Sequence, residues 1–258
     1  MRLPRPMPIK LRLNKYLRDC RLGSRRKCEE LIRQGRVTLN GAVVEEVGTL
    51  VDTEADKVEV DGETAKPFTE LIYVIANKPR GVVVTGSDPQ GRSTFYDAIE
   101  GLPEGLFSVG RLDMDSEGLL LLTNDGKLGF RLSHPRHEIE KVYHVGLDKP
   151  VDDDLVASLK GGIELEDGPA RAREARILKG GDNPTLELTL TEGRKREIRR
   201  MMMACGFGTW WLRRVQLGTL ELGDLKPGAW RHLERDEVRG LRRLVEEAYI
   251  NKVKENRE

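Results

Sequence analysis

The sequence predicts an α+β protein in two parts: a small, helix-rich, basic module at the amino terminus, then a larger body with a mainly antiparallel sheet and peripheral helices. Three observations predict it. The net charge is only +1, yet residues 1–41 carry 12 Lys/Arg against 3 Asp/Glu, while the remaining 217 carry 32 against 40. Helical spacing dominates the first 35 residues, whereas beyond about residue 70 strand-like runs alternate with turns. Between them, residues 62–70 form a polar stretch with Gly and Pro that reads as a linker. The domains are therefore expected at 1–66, with an ordered core of about 11–62, and at 67–258.

Composition sets the outer bounds. Removing Tyr from the 38% hydrophobic fraction and adding the 27 glycines leaves roughly 46% apolar residues, ordinary for a globular protein. Wholesale disorder is excluded. No run approaches the roughly 18 apolar residues of a membrane span. Met1–Lys10 is basic but leads into no apolar run, so it does not read as a secretory signal. Cys20, Cys28 and Cys205 contain no C-x-x-C pair, and an odd count argues against a disulfide framework. The expectation is a soluble, reduced, cytoplasmic monomer with no membrane partner.

The first elements follow from spacing. Leu13, Tyr16, Leu17 and Cys20 share a helical face, and Gly23 offers the left-handed stop. Ser24 is a good N-cap for a second helix running to about Gln34, with Gly35 as its stop. On that helix Cys28, Leu31 and Ile32 face inward, and Arg26 and Arg33 face outward. Val37-Thr38-Leu39 and Ala42-Val43-Val44 flank Asn40-Gly41, a strong hairpin signal.

The segment from Leu13 through Gly23-Ser24-Arg25-Arg26 to Arg33-Gln34-Gly35-Arg36-Val37-Thr38-Leu39-Asn40-Gly41 resembles the S-four-like RNA-binding domain, first known from a small-subunit ribosomal protein. The resemblance implies binding of structured RNA through shape and phosphate contacts. Lys15, Arg26 and Arg33 are the candidates for those contacts. The module indicates RNA without indicating a reaction.

In the body, Leu71–Ala76, Gly81–Thr85 and Thr185–Leu190 read as strands. The densest signal is Gly110-Arg111-Leu112-Asp113-Met114-Asp115-Ser116-Glu117-Gly118-Leu119-Leu120-Leu121-Leu122-Thr123-Asn124-Asp125-Gly126. A glycine-bounded loop with two carboxylates runs into a buried strand, a scaffold that holds a reactive side chain in place. On composition alone, both aspartates read first as turn and capping residues.

That run resembles the signature of the RsuA/RluB-type ribosomal RNA pseudouridine synthases. Three further stretches match in order: Asn77-Lys78-Pro79-Arg80-Gly81-Val82-Val83, Glu140-Lys141-Val142-Tyr143-His144-Val145, and Glu192-Gly193-Arg194-Lys195-Arg196-Glu197-Ile198-Arg199-Arg200-Met201. The resemblance implies an isomerase that breaks the bond between a uridine's sugar and its base nitrogen, rotates the base and rejoins it through carbon. It implies no cofactor and no metal.

It also assigns roles. Asp113 is the attacking or charge-stabilising carboxylate, with sugar and base both open as its target, and Asp115 is a structural loop residue. An ionised carboxylate is favoured by a neighbouring cation, and the resemblance supplies Arg199. Tyr143 stacks on the uracil and assists proton removal, Ile198 walls the base, and Arg111 helps to displace it from the RNA. A helix over 193–205 puts Arg196, Arg199 and Arg200 on one face, where Arg196 and Arg200 meet solvent or RNA phosphate.

Other features read more plainly. His134-x-x-His137 has metal-pair spacing but no third ligand cluster. Trp210-Trp211 reads as core packing ahead of base stacking, Met201-Met202-Met203 as helix packing, and the tail from Lys252 as fraying. The form of residues 192–200 leans toward a uridine in 23S rRNA, with 16S rRNA as the alternative and free rRNA or an assembly particle as substrate. A non-catalytic ribosome-assembly factor is the rival, and the Asp113, Tyr143 and Arg199 set counts against it. A fragment of an aminoacyl-tRNA synthetase would need a nucleotide-binding signature, which the sequence lacks.

Overall fold

The computed structural model describes residues 10–255 apart from Thr69 and Ser87. The basic stretch before Lys10, Ser87 of the loop 86–92, and the last three residues of the tail lie outside the described residues. The chain forms two units: one extends to Leu71 and includes Pro103–Leu106, and the other holds Ile72–Leu102 and the chain from Phe107.

In the first unit the helices Leu13–Asp19 and Arg25–Arg33 bury their apolar stripes against each other. Leu13, Tyr16, Leu17, Cys28, Leu31 and Ile32 share one core with Val37, Val51 and Val58. Ser24 caps the second helix, its hydroxyl accepting the Lys27 amide at 3.3 Å. The first helix stops earlier than Gly23 suggests. Arg21 takes the left-handed turn at φ +63°, and Leu22 N donates to Leu17 O and Arg21 N to Arg18 O, the paired closure of a Schellman motif. The Asn40-Gly41 hairpin pairs Thr38 with Val43 and Leu39 with Ala42, with φ of +53° and +85° at its corner. The polar stretch that reads as a linker is built into this unit. Glu63–Thr64 is a strand paired with Glu59–Val60, and the Tyr16 hydroxyl donates to the Ala65 carbonyl at 3.0 Å.

The second unit is organised by one sheet. Its path runs Glu174–Lys179, Thr185–Leu190, Lys141–Leu147, Thr209–Leu217, Glu117–Thr123, Tyr73–Lys78 and Trp230–His232. Every neighbouring pair is antiparallel except one, the contact of Thr209–Leu217 with Glu117–Thr123. That parallel seam pairs only Arg213 with Glu117 and Arg214 with Gly118, so two antiparallel half-sheets are joined at a single point. Helices Asp153–Gly161 and Glu197–Ala204 pack on one half through Leu155, Leu159, Ile198, Met201 and Met202. Helices Gly126–Ser133 and Arg235–Glu255 pack on the other through Leu128, Leu132, Leu241 and Val245. Leu119–Leu122 are all fully buried, as a strand covered on both faces requires. Gly81–Thr85 forms no strand; Val83 makes an isolated bridge to Thr94. No helix among the described residues is long and apolar enough to cross a membrane.

Gly118 makes the seam possible. A Cβ there would lie 2.3 Å from the Arg214 carbonyl oxygen and 2.7 Å from its amide nitrogen, and the backbone sits at φ +107°. Gly118→Ala is expected to destabilise the protein by about 2–4 kcal/mol, since backbone cannot yield to the methyl. Gly110→Ala, with φ +73° and nothing within 4 Å of the new atom, should cost only about 1 kcal/mol. Urea unfolding of the two variants checks the difference.

Candidate active site

The loop before the seam is pinned at three levels. Leu112 is buried in the cluster that also holds Tyr143 and Ile198. The Asp113 carbonyl accepts the Ser116 amide at 3.0 Å, closing a turn that leaves the Asp113 side chain partly exposed. Beneath lies Lys78, fully buried, whose Nζ donates to the carbonyls of Ser116 at 2.7 Å, Pro79 at 2.9 Å and Met114 at 3.3 Å. Burial pushes the Lys78 pKa down to about 8, against the pull of Asp115, Asp113 and Glu117. Three carbonyls match the three protons of an ammonium group. The loop is thus held through its backbone, and its carboxylates are left for other partners.

Asp115 uses that freedom. Arg196 meets both of its oxygens, each at 3.0 Å, in a fork. Arg199 places Nε 3.3 Å from Asp115 Oδ2, donates Nη2 to the Asp115 carbonyl at 3.0 Å and donates Nη1 to the Thr209 carbonyl at 3.1 Å. Burial raises the Asp115 pKa, but the Arg196 hydrogen bond and the Arg199 and Arg196 charges outweigh it and hold the carboxyl below its ordinary value. Arg199 moves down because it is buried, with Asp115 pulling the other way.

This differs from the sequence reading, which sets Arg199 beside Asp113. The ion pair of Arg199 goes to Asp115, whose own carbonyl Arg199 also holds. Asp113 acts on Arg199 and Arg196 through its charge alone, more weakly than Asp115. Among the described residues, no side chain hydrogen-bonds or pairs with the Asp113 carboxylate.

The helix behind these arginines is shorter than its pattern predicts, Glu197–Ala204 in place of 193–205. Arg194 is the cause. It donates to the carbonyls of Asp167, Gly168 and Pro169 and to the Glu197 carboxylate, so the chain is tied down before the first turn. Arg196 then starts the helix from a left-handed φ of +53°. Arg200 forks onto Asp167 at 2.7 and 2.9 Å, an internal partner in place of the solvent or phosphate expected. Ile198 is buried, as its face predicts.

Tyr143 is 8% exposed on the central strand, directly opposite Arg214. Among the described residues its hydroxyl has no hydrogen-bond partner. Arg111 and Arg80 are exposed beside the loop with no ion pair among the described residues. In the first unit Lys15 and Arg26 are likewise exposed and unpaired among the described residues, while Arg33 faces Glu29 at 3.7 Å. Sequence reasoning missed the parts played by Lys78, Arg80, Arg194 and Arg214. Arg214 is buried, donates Nε to the Leu119 carbonyl at 2.8 Å, and keeps Nη2 without a partner. His134 and His137 are both engaged by Arg136. Among the described residues, no set of three His, Cys, Asp or Glu side chains is placed to share a metal ion.

Residues 72–204 match the family described as RNA pseudouridylate synthase, and residues 11–58 match the S4 domain. An uncharacterized RNA pseudouridine synthase of Aquifex aeolicus (strain VF5) is 43% identical over 244 residues, covering 94% of this chain and 98% of its own length. The ribosomal large subunit pseudouridine synthase B of Bacillus subtilis (strain 168) is 39% identical over 238 residues, covering 91% and 97%. A crystal structure of a pseudouridylate synthase matches with a TM-score of 0.63 at 33% identity, covering 90% of this chain and 99% of its own. The chain belongs to the RNA pseudouridylate synthase family. It is an isomerase that acts on RNA.

For a pseudouridylate synthase, two consequences follow from this geometry. Lys78→Met strips three carbonyls, that of Ser116 fully buried, of their donor. It is expected to cost about 1–3 kcal/mol of stability, the range for an orphaned buried polar group, and to lower turnover with it; thermal unfolding and pseudouridine yield measured together check both. Asp115 has a lowered folded pKa, so its stabilising contribution is complete above the ordinary carboxylate pKa of about 4 and is lost as pH falls through the folded value. Asp115→Asn should therefore flatten the acid limb of stability below about pH 4, as read by urea unfolding across pH.

Proposed function

We propose that this synthase isomerises a specific uridine of ribosomal RNA, in the large-subunit 23S molecule, with Asp113, Tyr143 and Arg199 as the catalytic set. One observation carries the reading: among the described residues the Asp113 carboxylate stands unpaired, partly exposed on a rigid turn, while Asp115 two residues on takes the nearby guanidinium groups. A carboxylate in that state is available to a substrate. The 23S assignment draws on the form of residues 192–200 and on the name of the Bacillus subtilis relative.

The steps follow from the chemistry. The S4 unit holds structured RNA by its phosphates through Lys15, Arg26 and Arg33, at an energy that falls with salt. The target uridine leaves its stack at a cost of a few kcal/mol, and Arg111 fills the vacated space. The uracil enters between Tyr143 and Ile198. Asp113 captures or stabilises the electron-poor centre as the bond from sugar to base nitrogen breaks. The base rotates and its ring carbon bonds to the sugar. That carbon loses a proton and the nitrogen gains one, so the reaction balances without a co-reactant; the Tyr143 hydroxyl can relay it, giving up its own proton as it takes the carbon's. Arg196, about half exposed beside Asp115, faces the RNA from the helix start, while Arg200 stays with Asp167 and Arg199 keeps the loop in register beneath the nucleotide.

Asp113→Ala is expected to lower pseudouridine formation on a 23S rRNA transcript by at least about 10³-fold, the scale of losing a covalent or charge-stabilising group, with RNA affinity within threefold of wild type. Unchanged yield would remove Asp113 from the mechanism. Site-resolved pseudouridine mapping in cells lacking the gene should show one mark missing from 23S rRNA; a mark missing from 16S rRNA instead would overturn the target assignment.

A further inference from the structure

Trp210 and Trp211 do not pack in the core as their pattern suggests. Trp210 is 56% exposed, and the strand register shows why. Gly146 opposes Trp211 and Leu147 opposes Thr209, so Trp210 is the extra residue of a β-bulge, a device that re-aims a side chain. The bulge begins one residue after Thr209, whose carbonyl Arg199 holds. The exposed indole therefore sits at the end of the sheet where the Asp115–Arg199 lock closes.

Beside it runs a groove of about 210 Å³ lined by Trp210, Trp211, Gly146, Pro184, Asn183 and Lys179. Its floor crosses four strands in register: Trp211 opposes Gly146, Gly146 opposes Thr185, and Thr185 opposes Lys179. With strands about 4.8 Å apart, the ends of that row are separated by roughly 14 Å. Gly146 is required here, because a Cβ would lie 2.0 Å from Trp211 Nε1; the Trp211 indole lies over the strand where another residue would carry a side chain. The Arg213 guanidinium stands 5.9 Å from the Trp211 ring centre. No acidic residue lines the groove, and Lys179 is exposed with no ion pair among the described residues.

We propose that this groove is a second nucleotide-binding site, taking an unpaired base of the substrate RNA that flanks the isomerised uridine. The proposal rests on the synthase reading above and extends it. Each part of a nucleotide has a counterpart. The indole faces offer a stack that any base accepts. The Asn183 amide, which both donates and accepts, suits a base edge. Lys179, across the row, suits a phosphate of the neighbouring nucleotide. The volume is below the roughly 300–1,000 Å³ of drug-sized ligand pockets, which fits one base and excludes a whole cofactor. The charge pattern selects a polyanion, and the enzyme's substrate is one.

The test uses the full chain and two probes. The first is a 23S rRNA transcript tritiated at uracil C5, whose label is released on isomerisation. The second is a 15-nucleotide unstructured RNA carrying one 2-aminopurine. Wild-type release on the transcript establishes the activity first, so failure of the rRNA assignment shows up before any variant is compared. Trp210→Ala should then raise KM about tenfold, the order of one lost base stack, and abolish the 2-aminopurine quenching, while Trp210→Phe restores both to within about threefold. Lys179→Gln should reduce the salt dependence of binding by about one phosphate contact. An unchanged KM and quench for Trp210→Ala, or equal losses for Trp210→Ala and Trp210→Phe, would overturn the site. The exposure of Trp210 keeps folding out of the comparison, and matched circular dichroism of the variants checks this.

Discussion

The carboxylate of Asp115 joins parts of the chain that sequence separates by more than eighty residues. Without it, Arg196 and Arg199 at the start of the Glu197–Ala204 helix would be two like charges with no carboxylate between them. With it, two guanidinium groups are fixed at one point, one by a fork and one by a carboxylate and a carbonyl together. Bidentate charge-assisted hydrogen bonds are the geometrically demanding kind, so this pairing sets orientation as well as proximity. Its consequence for the site is a division of labour. One aspartate of the Asp-x-Asp pair satisfies the arginines, and the other stands without a partner among the described residues, the state that the proposed role of Asp113 requires.

The same economy appears beneath the loop. Lys78 binds carbonyls and so leaves the Asp115 carboxylate for the arginines and that of Asp113 partly exposed. Gly118 lets two backbones approach closely enough for Arg214 to cross the seam and reach the Leu119 carbonyl. A loop held by side chains would trade reactivity for rigidity. A loop held by its own backbone keeps both, which is the condition for a preorganised site.

Much of this was legible in the sequence, for identifiable reasons. The first unit has short-range signals at each step: the Ser24 cap, the Gly35 stop, the Asn40-Gly41 turn. Each acts within a few residues, and tertiary context did not override it. Arg21 was the exception, since any residue forced into the closing position of a Schellman motif must take a positive φ, and Gly23 looked the better choice. The stretch 62–68 misled because polarity says nothing about a backbone carbonyl such as that of Ala65, which Tyr16 reaches from 49 residues away. Lys78 was hidden for a stronger reason: lysine is almost never fully buried, and no periodicity marks three carbonyls that will converge on it. The partner of Arg199 was likewise out of reach. The resemblance sets Arg199 beside Asp113, but only the turn closed by Ser116 decides which of the two carboxylates faces it. Trp210 escaped because a bulge breaks the alternation from which a strand's faces are read.

The charge around the site also has a direction. Arg80 and Arg111 are exposed without ion pairs among the described residues, and Arg196 is about half exposed although paired. Asp115 neutralises part of this field and leaves a local excess of cations around one free carboxylate. A neutral small molecule gains nothing from such a field. A polynucleotide brings phosphates that satisfy the outer arginines and releases counterions as it does so, which draws it to the surface around Asp113. The local excess exists in a chain whose net charge is only +1, with 12 Lys/Arg against 3 Asp/Glu in residues 1–41 and 32 against 40 in the rest, so attraction is concentrated at the site and at that basic stretch while the remaining chain is net acidic. A binder of RNA alone would not need the unpaired aspartate among those arginines; an enzyme that must admit the backbone and then act on one base needs both.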